Sequence, residues 1–492
     1  MIQPRLAYTR AVARVLAIDI GTSSVRAAIY SRSLRPVRQA AQVRYRWRVG
    51  SDGSIEAAPG ALERTVAQAI DGALAGVTRG IDAVAIAAFW HSLIGVDAQG
   101  RPVTSVIPWG DTRSAGQVQS LRERFDERAI HARTGCRLHP TYWPARLRWF
   151  ADREPKTFRR ARRWMSLPTY LQRRWLGRDA ESLSQASGTG MFRHDGMTWD
   201  LELCAACGVT PDQLGAIVDL DDASAQPSAA IARRWPQLKN ARWIPAAADG
   251  ALDNVGAGCT TGGRAAIMIG TSGALRKIWT TDTAPKVPFG LWRYWLDRRR
   301  VVVGGASSNG GNLAAWMRGT LGLRGDARLD ARIARMPPDA HNLTMLPFVA
   351  GERSPDYLPD ARAVIAGLRL ATTPDDIFRA GLEAVAYRFL EMQEELVTVS
   401  PVTRLVATGA ALTSSRVWPQ ILADVLGRQI ALPRATELTS RGAAIIGFEQ
   451  LGIPLKKTEP GIARVFHPDA RSHGVYRAAC ERQRKLLRAV LT

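Results

Sequence analysis

The apolar run Val15 to Ile18 leads through Asp19 into the turn Ile20-Gly21-Thr22-Ser23, and a second alternating run follows from Val25 to Tyr30. The pattern returns later in the chain: Ala265 to Ile269, the turn Ile269-Gly270-Thr271-Ser272, then Ala274 to Trp279. A strand-like run, a tight polar turn and a returning run predict a β-hairpin with Gly, Thr and Ser at its tip. The copies lie 249 residues apart, close to half of the 492-residue chain. That offset predicts an α/β protein of two similar domains facing one another, with both tips lining the cleft between them.

Helical periodicity fills the intervals. Thr373-Pro374-Asp375-Asp376 supplies an N-cap, a proline at the first helical position and acids near the positive helix end. Ile377, Ala380, Ala384, Val385, Phe389, Met392 and Leu396 then recur at three- and four-residue steps, which predicts a core-facing stripe. Asp249-Gly250 opens another segment through Ala251, Leu252, Val255 and Gly256. The domain boundary is expected just before it, near Pro245, giving units 1–245 and 246–492.

Composition narrows the class. Hydrophobic residues make up 46% of the chain and charged residues 23%, which excludes wholesale disorder. No run approaches the ~18 apolar residues of a membrane span. The opening MIQPRLAYTRAVAR and the short, acid-containing run VLAIDI predict neither a secretory signal nor an anchor, hence a cytoplasmic protein. Five cysteines, with Cys204 and Cys207 as an isolated C-x-x-C, read as reduced core thiols.

The formal net charge is +23, and 60 of the 67 basic residues are Arg. The clusters at Arg159, Arg160, Arg162 and Arg163, at Arg298 to Arg300, and at Arg482, Arg484 and Arg488 lie far apart among apolar residues. They lack the single basic element with interleaved aromatics that single-stranded nucleic acid requires, so no nucleic-acid partner is expected.

The two hairpins differ where chemistry would demand it. The first carries Asp19 two residues before its Gly, and the second carries Met268 there. A carboxylate at a buried strand end is costly unless something pairs with it. One acidic tip could hold Mg²⁺, and two hydroxyl-and-amide tips could grip phosphate oxygens. There is no G-x-x-x-x-G-K-[ST], and Gly256-Ala257-Gly258 lacks the third Gly of a dinucleotide fingerprint.

LAIDIGTSSVRAAIY and AAIMIGTSGALRKIW match instead the two phosphate motifs of the sugar kinase and actin-like ATPase superfamily. FWHSLIGVD, VIPWGDTRS, TGCRLHPTYWPARLRW, SLSQASGTGMFRHDGMTWD, PFVAGERSPDYLPDARAVIAGL and LVATGAALTSS extend the match from about Val15 to about Leu451. On these stretches the chain resembles the FGGY carbohydrate kinases, most closely the gluconokinase-like members. Three departures stand out. Gly381 replaces a slightly larger small residue, Ala410 replaces the second Gly of a Gly-Gly pair, and Phe89-Trp90-His91 replaces Gln-Met-His.

The resemblance implies two ribonuclease-H-like, actin-like ATPase domains and an ATP- and Mg²⁺-dependent kinase. From spacing alone, Asp249 and Asp253, four residues apart, compete for the role of general base, and the resemblance selects Asp249. It implies further that Asp19 organises Mg²⁺. The phosphates would fall to Gly21, Thr22, Ser23, Gly270, Thr271 and Ser272, and Arg26 is a position often basic in the family. Gly311, Gly409, Ala410 and Ser414 would be nucleotide contacts, and Trp90, His91, Trp109, Asp111 and Thr141 the acceptor contacts.

The expected activity is phosphorylation of a small sugar or sugar acid, gluconate first, at a hydroxyl. The alternatives are a xylulose- or glycerol-type kinase, or a non-catalytic sugar-binding relative. A homodimer is the expected assembly.

Overall fold

The computed structural model describes residues 13–223 and 226–491. The N-terminal segment, read above as neither signal nor anchor, lies almost wholly outside the described residues.

Two sheets organise the chain. The first contains β1 (Val15–Ile20), β2 (Ser24–Tyr30), β3 (Ala41–Arg44), β4 (Ala83–Ala88), β5 (Arg242–Trp243) and β6 (Ala247–Ala248). The second contains β7 (Arg264–Ile269), β8 (Gly273–Thr280), β9 (Trp292–Asp297), β10 (Arg300–Ser307), β11 (Arg404–Thr408), β12 (Gln429–Pro433) and β13 (Ile462–Phe466). The strand order of the first is β5-β4-β1-β2-β3, with β6 also on β4, and that of the second is β9-β10-β8-β7-β11-β12-β13.

The shared pattern is plain in the pairing. In each sheet the motif hairpin is antiparallel, β1 with β2 and β7 with β8, and its first strand runs parallel to the next neighbour, β4 or β11. The two predicted hairpins therefore sit at equivalent places in two equivalent sheets, which is the actin-like arrangement. Strand β4, AVAIAA, is buried along its whole length, as a parallel strand covered on both faces must be. Because Ala247 and Ala248 pair with Ala87 and Ala88, the first sheet continues to Ala248, beyond Pro245.

Four helices matter for the cleft: α1 (Asp249–Gly256), α2 (Gly311–Thr320), α3 (Pro374–Val399) and α4 (Leu438–Gln450). Helix α3 starts where its capping sequence predicts, with a reciprocal Thr373–Asp376 capping box. Its burial exceeds the single stripe expected, since Phe378 to Leu390 are buried without interruption, Arg379, Glu383 and Arg388 included. Gly381 lies against Met317, whose thioether fills the space that a β-carbon would need.

Helices α1 and α4 cross backbone to backbone. A β-carbon on Gly256 would overlap the Leu438 carbonyl, and one on Gly442 would overlap that of Leu252. Helix α4 then lies on the first sheet, so that Ala443, Ala444, Ile445, Ile446 and Phe448 share a core with Val15, Ala17, Ala83 and Ala85.

All five cysteines are buried and free. Arginine takes nearly all the ion pairs among the described residues; Arg300, for example, joins Asp297 and Glu449, and Arg484 joins Glu391, Glu394 and Glu481. Among the described residues no helix is long and apolar enough to cross a membrane.

Candidate active site

Both hairpin tips open onto one cleft of about 240 Å³. Thr22 reaches it from the first sheet, and Gly270, Thr271 and Ser272 from the second. The first tip is braced from outside, where the Tyr45 hydroxyl donates to the Gly21 carbonyl (2.5 Å) and the Trp47 indole to that of Thr22 (2.6 Å). The second is tied to α2, whose first amides, Gly311 and Asn312, donate to the carbonyls of Gly270 and Thr271 at 2.9 Å each.

Asp249 begins α1 and lines the same cleft, partly exposed to it. Its carboxylate accepts from the Gly250 amide at 2.6 Å. Burial raises its pKa from the ordinary carboxylate value, while Arg276 opposes the rise. Its rival, Asp253, is not among the residues lining the cleft. It accepts from the Thr408 hydroxyl at 2.8 Å and faces Arg276 at 3.4 Å, so its oxygens serve the protein interior. Arg276 packs so closely over Gly250 that a β-carbon there would overlap its guanidinium.

Asp19 stands one residue before the end of β1 with little exposure and accepts no hydrogen bond among the described residues. Its nearest cation, Arg26, stands at 3.8 Å and is shared with Glu437 at 3.3 Å. Burial and then the Asp249 charge push Asp19 up to about 7. An under-satisfied carboxylate among further carboxylates suits a hydrated divalent cation, and the donor set fits Mg²⁺.

The acceptor side is aromatic and imidazole-rich. Trp90 donates its indole proton to the Ser184 carbonyl (2.8 Å) and meets Trp292 edge-on, while Trp292 stacks on Tyr294 with centroids 4.2 Å apart. His91 adopts a left-handed φ of 70° and is held there by Nδ1 donating to the Gly188 carbonyl at 2.6 Å. That bond leaves Nε2 as an acceptor, and burial keeps the ring neutral, well below the ordinary histidine value. His139 has the opposite tautomer, because its Nδ1 accepts from the Thr141 amide at 3.2 Å. Burial lowers it to about 3, so it offers the cleft an N–H donor.

Of the acceptor contacts expected from the sequence, Trp90, His91, Trp109 and Thr141 line the cleft and Asp111 does not. Asp111 is a correction. It is buried against Arg113 and accepts from the Ile55 amide at 2.8 Å, which makes it a brace behind Trp109. Ser23 is also displaced. It is exposed on a neighbouring depression with Arg26, Arg44 and Arg46, outside the cleft.

A second cavity, about 350 Å³, adjoins the far end of the second hairpin and is lined by Gly311, Ala411 and Ser414, among others. Gly409 stands behind it at φ 86°, and Ala410 is exposed rather than lining it. Sequence reasoning missed Arg276, Tyr142, Tyr294 and Arg353, which line the cleft from separate segments. Away from it, Asp339, His341 and Glu383 cluster like metal ligands, but Glu383 already accepts from Arg379 and Tyr476 (2.9 Å), and Asp339 pairs with Arg482.

Two equivalent sheets presenting hydroxyl tips to one carboxylate-bearing cleft define a two-domain sugar kinase. The chain belongs to the FGGY family of carbohydrate kinases: the N-terminal domain of the family matches residues 14–256 and the C-terminal domain residues 265–450. It is similar to a gluconokinase of Bacillus subtilis, 29% identical over 461 residues that cover 89% of this chain and 88% of that one. It is also similar to a glycerol kinase of Citrifermentans bemidjiense, 27% identical with 88% and 89% covered. Among solved structures, a gluconate kinase from Lactobacillus acidophilus superposes with a TM-score of 0.90 at 23% identity, covering 97% of this chain and 98% of that one. A ligand-bound xylulose kinase from the same organism gives 0.91 at 23%, covering 98% and 99%.

Proposed function

We propose that this carbohydrate kinase transfers the γ-phosphoryl group of ATP to a hydroxyl of a small sugar acid, gluconate or a close aldonate. The observation that carries the reading is the meeting of Thr22, Thr271, Ser272 and Asp249 on one cleft. Phosphoryl transfer needs positioning and charge stabilisation more than covalent help. Asp249 takes the proton of the attacking hydroxyl, the new O–P bond forms, the β–γ bridge breaks and ADP leaves. The hydroxyls and amides of the two tips hold the transferring group from opposite sides.

Asp19 would hold Mg²⁺ through its water shell, and the ion would neutralise charge on the phosphates. The adenosine end of ATP suits the second cavity, because Gly311 ties that cavity to Gly270 at the phosphate tip. The two halves of the chain, 1–245 and 246–492, act as facing jaws, and their closure excludes water.

The curated gluconokinase relative supports an aldonate over a ketose or polyol. A coupled ADP-release screen with Mg-ATP across aldonates, ketoses and polyols tests this reading. Turnover of xylulose or glycerol with none of gluconate would overturn the substrate and leave the class standing. No turnover of any of them would favour a non-catalytic relative.

A further inference from the structure

Two guanidinium groups line the cleft, and only one is spoken for. Arg276 faces Asp253 at 3.4 Å beside the base. Arg353 forms no ion pair among the described residues. One of its terminal nitrogens donates to the Ser307 carbonyl at 3.2 Å, and its plane lies over the Trp109 ring at 4.8 Å. Its Nε is buried without a partner, and its other terminal nitrogen has no hydrogen-bond acceptor among the described residues. Its sequence neighbour Glu352 faces Arg388 instead, at 3.8 Å.

A partly buried, unpaired guanidinium loses hydration with nothing in return unless an anion binds. Its planar fork matches a carboxylate better than a hydroxyl. The groups lining the cleft around it, His91, His139, Tyr142, Tyr294 and Tyr357, are electrically neutral at pH 7, and Glu352, whose charge acts on it, faces Arg388 and has its pKa pushed up to about 8 by burial.

Arg276 packs over Gly250 beside Asp249, whereas Arg353 lies over Trp109 and bonds to Ser307, and no ion pair joins it to Asp249 among the described residues. The base and the unpaired cation thus have separate neighbours on the cleft wall. An open-chain sugar acid likewise has a carboxylate at one end and a primary hydroxyl at the other.

We propose that Arg353 binds the carboxylate of the substrate, which selects a sugar acid over a neutral sugar and delivers the hydroxyl at the far end of the chain to Asp249. This rests on the aldonate reading above and adds the residue that enforces it.

The test is calorimetric, on the full chain, with D-gluconate and with D-glucitol, its neutral counterpart of equal length. Wild type binds gluconate at least about tenfold more tightly than glucitol, as loss of a charge-assisted pair requires. Arg353→Gln weakens gluconate roughly 10- to 100-fold and narrows the gluconate-to-glucitol ratio, and Arg353→Lys recovers part of it. Equal weakening of both ligands, or a gluconate affinity unchanged in Arg353→Gln, overturns the assignment. So does equal binding of the two ligands by wild type, which settles the matter even if the variants fail to fold. Failure of the aldonate reading looks different: wild type then phosphorylates a ketose or polyol and no sugar acid. A phosphate found on any carbon but the one farthest from the carboxylate overturns the orientation.

Discussion

The Thr408 hydroxyl donates a 2.8 Å hydrogen bond to Asp253 Oδ2, the same oxygen that faces Arg276. Thr408 ends β11 and Asp253 lies within α1, so the bond locks α1 onto the second sheet. It also separates two aspartates that the sequence presents as rivals, because the one so engaged does not line the cleft. Asp249→Asn keeps the shape of the base but cannot take a proton, and kcat should fall on the order of 10² or more with sugar affinity retained. Asp253→Asn should keep turnover within about tenfold while thermal stability drops by about 1–3 kcal/mol, since Arg276 loses its counter-charge. Steady-state kinetics with thermal unfolding of both variants decides, and reversal of the two would move the base by one helical turn.

Asp19→Ala should abolish turnover while gluconate still binds, as titration calorimetry without nucleotide would register. Its stability should not fall, because the variant removes a buried carboxylate that accepts no hydrogen bond. Near-normal activity would remove the metal role.

Ala410→Gly should leave the KM for ATP within about twofold, because the exposed methyl does not line the second cavity. Gly409→Ala is the opposite case. With φ at 86° and a β-carbon that would overlap the Ile269 carbonyl, it should raise that KM and cost on the order of 2 kcal/mol of stability. Equal effects from the two changes would show that the loop does not depend on the left-handed glycine.

Glu352 supplies a pH test away from the chemistry. Both of its oxygens are buried without a hydrogen-bond partner, and burial pushes its pKa to about 8. Between the ordinary glutamate value and about 8, the native protein holds a proton that the unfolded chain has lost. Its contribution to stability is therefore greatest in acid and disappears as pH rises through about 8. Glu352→Gln should flatten that slope and gain on the order of 2 kcal/mol over wild type at pH 9. Urea unfolding at pH 5, 7 and 9 measures it, and parallel curves for the two proteins would contradict it.

The hairpins and α3 were legible in the sequence because local rules fix them: a turn tip between apolar runs, and a capping box ahead of an apolar period. That Thr22, Thr271, Ser272, Asp249, Trp90, His91, Trp109 and Thr141 share one cleft was foreseeable from the family motifs. Asp111 misled because a carboxylate inside a recognisable motif looks the same whether it meets a ligand or, as here, Arg113. Arg276, Tyr142, Tyr294 and Arg353 stayed hidden for a different reason. Each is ordinary in its own segment, and only the tertiary fold brings strands β8 and β9 and two loops to one wall. The continuous burial of α3 escaped for the same reason, since Arg379 and Glu383 read as a polar face until Tyr476 and His341 arrive to partner them.

The position of α4 has a consequence for how the protein is made. Its residues, 438 to 450, complete the face of a sheet whose first strand begins at Val15. A ribosome therefore releases the first half of this enzyme with Val15, Ala17, Ala83 and Ala85 still bare, and they remain so until nearly the whole chain has emerged. The first half should therefore not fold independently, and residues 1–256 expressed alone should aggregate. Supplying the second half on a separate polypeptide during refolding should restore a soluble, nucleotide-binding pair.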